Sequence, residues 1–151
     1  MQNVSTGIGI GMAWVESLSI HGYEAEVLRK RALEFLKEAE IAFERGAYDI
    51  ACFLAEQSLQ LYLEHALLKI VGDYPRTHSV RRLLGELIRI LGSRELEEFV
   101  RANRVRLSVL EDSYLMARYF VKEYGREDAE DAIKLVEEVI EVVERASGGS
   151  R

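Results

Sequence analysis

Cysteine and proline occur once each in these 151 residues, as Cys52 and Pro75. A single cysteine excludes an intrachain disulfide and a thiolate metal cluster. A single proline leaves long stretches in which nothing interrupts a helix. Histidine is also scarce, with His21, His65 and His78 far apart and no His-x-x-x-His or Glu-x-x-His pair to put two ligands on one helical face. No metal or other cofactor is expected. No apolar run approaches the roughly 18 residues of a membrane span. The first residues also lack the positively charged start of a secretory signal peptide. The expectation is a cytoplasmic protein with no membrane partner.

What is present is ordinary for one globular domain: 48% hydrophobic residues, 30% charged, and a net charge of −6. The charge is unevenly placed. Residues 74–106 hold eight Arg and four Glu, whereas 107–150 hold five basic and eleven acidic residues. The basic third is suited to a phosphate and the acidic C-terminal part is not. The plainer expectation is two solvated faces of opposite sign.

Hydrophobic periodicity points to helices throughout. Residues 1–22 carry Gly7, Gly9, Gly11 and Gly22 with no sustained period. They are expected to form a flexible tail, with Trp14, Val15 and Leu18 as docking points. Gly7-Ile8-Gly9-Ile10-Gly11 follows no strand and lacks the Lys-Ser/Thr pair of a phosphate loop. Residues 23–147 read as the folded bundle and 148–151 as a disordered C-terminus. Leu28, Ala32, Phe35, Leu36, Ala39 and Ala42 recur at helical steps until Gly46, which suits a left-handed helix end. From Tyr48 to Val71 the chain is apolar nearly all round, which predicts a helix that is either central or partly a subunit interface.

Gly72 and Pro75 break that helix, and Ser79 is placed to cap the next, which carries Val80, Leu83, Leu84, Leu87, Ile88 and Leu91. One long helix, bent in places, is expected over 94–119. A final helix follows Gly125, with Asp128 in its first turn. No strand is required. The predicted fold is an all-α, up-and-down bundle of about five helices.

Several motifs carry more than a fold. The turn and helix Gly46-Ala47-Tyr48-Asp49-Ile50-Ala51-Cys52-Phe53-Leu54-Ala55-Glu56-Gln57 is followed by Thr77-His78-Ser79, then by Tyr114 and Ala117-Arg118-Tyr119. In that order and spacing, over about 28–146, the chain resembles the HEPN domain family, which implies a small helical bundle. Many HEPN proteins are metal-independent RNases, whose Arg and His, separated by four to six residues, converge at a dimer cleft. Here the three positions before each histidine that would hold the Arg are Val71-Gly72-Asp73, Ser58-Leu59-Gln60 and Trp14-Val15-Glu16. Beyond Arg118, the positions for the His hold Glu123, Tyr124 and Gly125. The usual catalytic pair is absent, and the reading leans away from an enzyme.

The chain is more similar to short stand-alone HEPN proteins paired with a minimal nucleotidyltransferase. Those share a Gln in the second helix, a His after the loop, and a Tyr followed by Arg-Tyr-Pro. Gln57, His78, Tyr114 and Arg118-Tyr119 match, while Phe120 replaces the Pro and Gln60-Leu61 stands where Glu-Lys is common. The resemblance implies a homodimeric binding and assembly module in a toxin–antitoxin-like setting. It would act with a nucleotidyltransferase partner and bind a nucleotide, with RNA not favoured. Arg76, His78 and Arg118 would face a phosphate, Tyr114 or Tyr119 would stack on a base, and Gln57 would line the same site. The structural alternatives are a Gln57 serving a core backbone group, a His78 capping the third helix, a Tyr114 in the core, and an Arg118 paired with the last helix. The competing function is an RNase toxin with a non-standard site around Arg118 and Glu123. Cys52, between Ala51 and Phe53, is expected to be inert packing.

Overall fold

The computed structural model describes residues 2–148, with side chains described from residue 21 onward. Among these residues there are six helices and no strand: α1 (Gln2–Glu44), α2 (Tyr48–Val71), α3 (Val80–Leu91), α4 (Arg94–Ala102), α5 (Arg104–Tyr119) and α6 (Arg126–Ala146). The backbone of α1 is helical through much of the stretch whose sequence predicts a tail. Trp14, Val15 and Leu18, together with residues 149–151, lie outside the described side chains.

α1 and α2 form an antiparallel hairpin around Gly46. Its φ of +80° is open to glycine at little cost, and the turn closes with the Ala47 amide donating to Ala42 O at 2.8 Å. Alanine supplies the contact face of α1, with Ala25, Ala32 and Ala39 one heptad apart and all buried. Such small side chains let the two backbones approach closely. Ser58 Oγ on α2 therefore reaches across to donate to Ala32 O at 2.7 Å. One heptad on along α2 and one back along α1, His65 Nδ1 lies 2.8 Å from Ala25 O. Burial holds the His65 ring below the usual imidazole range, so the neutral ring donates from Nδ1.

Of the two roles predicted for the apolar second helix, the central one is seen: α2 packs against α1, α3, α5 and α6. Leu59, Leu63 and Leu67 are enclosed among Leu83, Leu84, Leu87, Leu107, Leu110, Leu135, Val136 and Val139. Ser79 caps α3 by accepting from the Arg82 amide at 3.1 Å. At the start of α6, Asp128 accepts from the Gly125 amide at 2.8 Å.

Two further features differ from the sequence expectation. The helix predicted over 94–119 is two helices, because Asn103 ends one and begins the other. Its Nδ2 donates to Phe99 O at 2.9 Å, and its Oδ1 accepts from Arg106 Nη1 at 2.8 Å. The apolar stripe runs on through the break, so periodicity does not reveal it. The oppositely charged faces, moreover, are not both left to solvent. Arg106 pairs with Asp131 at 2.7 Å and Glu138 at 3.1 Å, and Arg145 with Glu95 at 2.8 Å, joining α5 and α4 to α6.

Candidate functional site

The residues that interrupt the apolar pattern of α2 share a face. Phe53, Glu56, Gln57 and Gln60 are spaced by three and four positions, so they form one row towards α5 and the loop between α2 and α3. Glu56 is wholly buried (0% exposed). No cation pairs with it among the described residues. Its carboxylate instead accepts from two amides, Gln57 Nε2 at 2.8 Å on Oε1 and Gln60 Nε2 at 2.6 Å on Oε2. Burial pushes the Glu56 carboxyl up to about 7, against the pull of the Gln60 and Gln57 amides and with added repulsion from Glu111 and Glu64. Gln60 Nε2 also donates to His78 O at 3.2 Å, which ties the loop to α2.

The loop is built to hold that position. Gly72 ends α2 at φ +81°, and the Ser79 amide donates to Thr77 Oγ1 at 3.1 Å. Ser79 Oγ donates in turn to Glu111 Oε1 on α5 at 2.8 Å, and Arg81 grips both Glu111 oxygens. Burial would raise the Glu111 carboxyl, but these bonds prevail and hold it below the usual range. With loop and helix so clamped, the His78 ring stacks on Tyr114 with centroids 4.6 Å apart and planes 17° apart. Tyr114 lies at 6.2 Å from Phe53, nearly parallel, completing a three-ring ladder from α2 to the loop. Offset stacking of this kind is favourable by about 0.5–1.5 kcal/mol per pair.

The structure therefore brings Gln57, His78 and Tyr114 into one seam between α2, the loop and α5. Arg118 lies one turn beyond Tyr114 on α5, exposed, its guanidinium 5.3 Å from the Tyr119 ring centre. No ion pair of Arg118 is found among the described residues, with α6 or with Glu123. Arg76 is directed elsewhere. Its guanidinium stacks over Tyr74 at 4.2 Å, donates to Tyr74 O at 3.0 Å and pairs with Asp73 at 3.7 Å. With Tyr74 it borders a groove against α1 lined also by Tyr23, Val27 and Arg31.

Glu56 and Glu111 have no counterpart in the sequence reading. An acid on a helix ordinarily faces water, and only the adjacent amides at 57 and 60, on an otherwise apolar helix, hint that Glu56 does not. Other features hold less chemistry. Burial, with the Asp128 and Asp49 carboxylates, pushes the Cys52 thiol up to about 12, so it stays protonated. No group of three or more metal-ligating side chains occurs among the described residues. An open groove of about 710 Å³ between α1 and α6 has an apolar floor of Ile41 and Ile133 beneath charges of both signs, and no residue of the seam lines it.

Residues 25–146 match the model of the HEPN domain. The chain belongs to the HEPN domain family. Its HEPN bundle is similar to the crystal structure of TT1696 from Thermus thermophilus, with a TM-score of 0.68 and 24% identity, over 82% of this chain and 98% of that one. That likeness bears on the fold. A comparison with curated proteins finds no match.

Proposed function

We propose that this HEPN chain is a non-catalytic binding and assembly module. It forms a homodimer, engages a nucleotidyltransferase partner in a toxin–antitoxin-like setting in the cytoplasm, and holds a nucleotide at the seam. The observation that carries this reading is the Phe53–Tyr114–His78 ladder, with Gln57 beside Phe53 on α2 and Arg118 one turn along α5. Such a group offers a base a ring to stack on and an amide to bond, and offers a phosphate a cation. A second copy completes this site. Exposed apolar residues at the same end, Ile50, Leu115, Tyr119, Phe120 and Val121, supply surface for that contact. The absent Arg–His pair argues against hydrolysis of RNA.

Light scattering on the eluting protein at micromolar concentration tests the assembly, and a dimer mass is expected. A clean monomer contradicts it. Melting with AMP, CMP, GMP and UMP tests the ligand: a nucleotide at a hundredfold its Kd adds about 2.7 kcal/mol of stability. The second reading, an RNase around Arg118 and Glu123, is favoured by the exposed Arg118 guanidinium alone. It requires cleavage of total RNA that Arg118→Ala abolishes.

A further inference from the structure

Glu56 accepts two hydrogen bonds, and the two donors are not equally free. Gln60 Nε2 is held between two acceptors, Glu56 Oε2 and His78 O. Reversing the Gln60 amide would face its carbonyl oxygen against the His78 carbonyl and break the tie between loop and helix. Gln57 Nε2 has one partner, Glu56 Oε1. Its own Oε1 makes no hydrogen bond among the described residues, and the side chain is only half-buried at the seam. An ionised carboxylate only accepts, so it draws the Gln57 amide inward and turns the Gln57 carbonyl out. A protonated one carries an O–H that needs an acceptor. Gln60 cannot supply it, and Gln57 can, by rotating its terminal amide.

We propose that Glu56 sets which hydrogen-bonding group Gln57 presents at the seam, and so which nucleobase edge the site accepts. With Glu56 ionised, the Gln57 oxygen faces out and takes a base edge that donates, such as an exocyclic amino group. With Glu56 protonated, the Gln57 NH2 faces out and takes an edge that accepts, such as a ring carbonyl. The ligand class rests on the nucleotide reading above, whereas the coupling of the two side chains does not. The charged and titratable groups around Glu56 fit a carboxyl that gains its proton from solvent rather than from an ion-pair partner. On α5 Glu111 repels it while already committed to Arg81 of α3. On α2 Glu64 repels it, and the loop supplies His78, whose backbone carbonyl accepts from Gln60. With its carboxyl pushed up to about 7, Glu56 exchanges between the two forms near neutral pH.

The test has two arms. In the free protein, side-chain amide NMR of Gln57 and Gln60 is followed from pH 5.5 to 8 beside the Glu56 carboxyl carbon. The Gln57 NH2 signals are expected to move with the Glu56 titration while those of Gln60 stay near their starting positions. Gln57 signals that ignore the Glu56 titration overturn the proposal, whatever any nucleotide does. In the second arm, Kd ratios are measured for AMP against IMP and CMP against UMP, pairs that exchange an amino group for a carbonyl. Raising the pH from 5.5 to 8 is expected to shift each ratio roughly tenfold towards the amino member, the effect of one mismatched hydrogen bond. Glu56→Gln, which donates as the protonated acid does, is expected to hold both ratios at their acid values. Because His78 also lies at the seam, a pH effect that persists in Glu56→Gln overturns the assignment to Glu56. If the Gln57 signals follow Glu56 but no nucleotide binds, the coupling stands and the nucleotide reading falls.

Discussion

α2 buries polar side chains on two faces, and the faces differ in what those groups bond to. Towards α1, Ser58 and His65 each meet one backbone carbonyl, Ala32 O and Ala25 O. Both are neutral donors with a fixed acceptor, and they lock the register of an alanine-lined hairpin. Towards α5 and the loop, Glu56, Gln57 and Gln60 bond to one another and end at the His78–Tyr114 stack. There a carboxyl is buried without a cation, and an amide keeps an unspent oxygen at the surface. The lesson is that burial of a polar group does not by itself mark function. A group closed off by backbone is structural, whereas a chain of side chains that leaves capacity at an accessible edge is suited to binding.

The largest effect that separates the two faces is the pH dependence of stability. Burial raises the Glu56 carboxyl to about 7 in the folded state, above its range in the unfolded chain. The folded protein then binds the proton more tightly, so Glu56 stabilises it least once pH has risen through 7. The cost at pH 8 relative to pH 4 or below is on the order of 3 kcal/mol. Urea melts are expected to show Glu56→Gln gaining most of that amount at pH 8 and little at pH 4. On the hairpin face Ser58 adds no pH dependence, and His65, held below the usual imidazole range by burial, adds one of the opposite sign, with stability lost as pH falls.

On the hairpin face, size matters more than charge. Ala32 is fully buried in the contact between α1 and α2, and its carbonyl accepts from Ser58, so Ala32→Leu overpacks the contact. A loss of about 2 kcal/mol is expected in the same melts. Ser58→Ala removes one buried hydrogen bond and is expected to cost about 1 kcal/mol. His78→Ala, at an exposed ring that contributes a single stack, is expected to cost less, about 0.5 kcal/mol. A His78→Ala loss as large as that of Ala32→Leu would collapse the distinction between the faces.

The sequence discloses the hairpin readily, because Gly46, the alanine spacing and the apolar run from Ile50 to Ile70 all state local preferences. Ser79 and Asp128 announce their helix starts for the same reason. The break at Asn103 stays hidden because Leu96, Val100, Leu107 and Leu110 keep their stripe across it. At the proposed site, Gln57, His78, Tyr114 and Arg118 are recognisable through the family resemblance, though their mutual placement is not. The stack of His78 on Tyr114 depends on Glu111 gripping Ser79 and Arg81 from another helix, a contact 32 residues away from Ser79 in the chain. Arg76 shows the converse. Two positions before His78, it shares the loop but is drawn to Tyr74 and Asp73. Glu56 is invisible because its surroundings come from residues distant in the chain, Glu111 of α5 and the His78 loop held by Gln60.

The most direct test titrates AMP against His78→Ala and Ser58→Ala side by side, with melting temperatures recorded for both. His78→Ala is predicted to weaken AMP binding roughly tenfold, the effect of one lost stacking contact, while melting close to wild type. Ser58→Ala is predicted to melt lower and bind AMP as the wild type does. If the affinity of both variants simply follows their stability, or if AMP does not bind, the two faces of α2 do not divide structure from function.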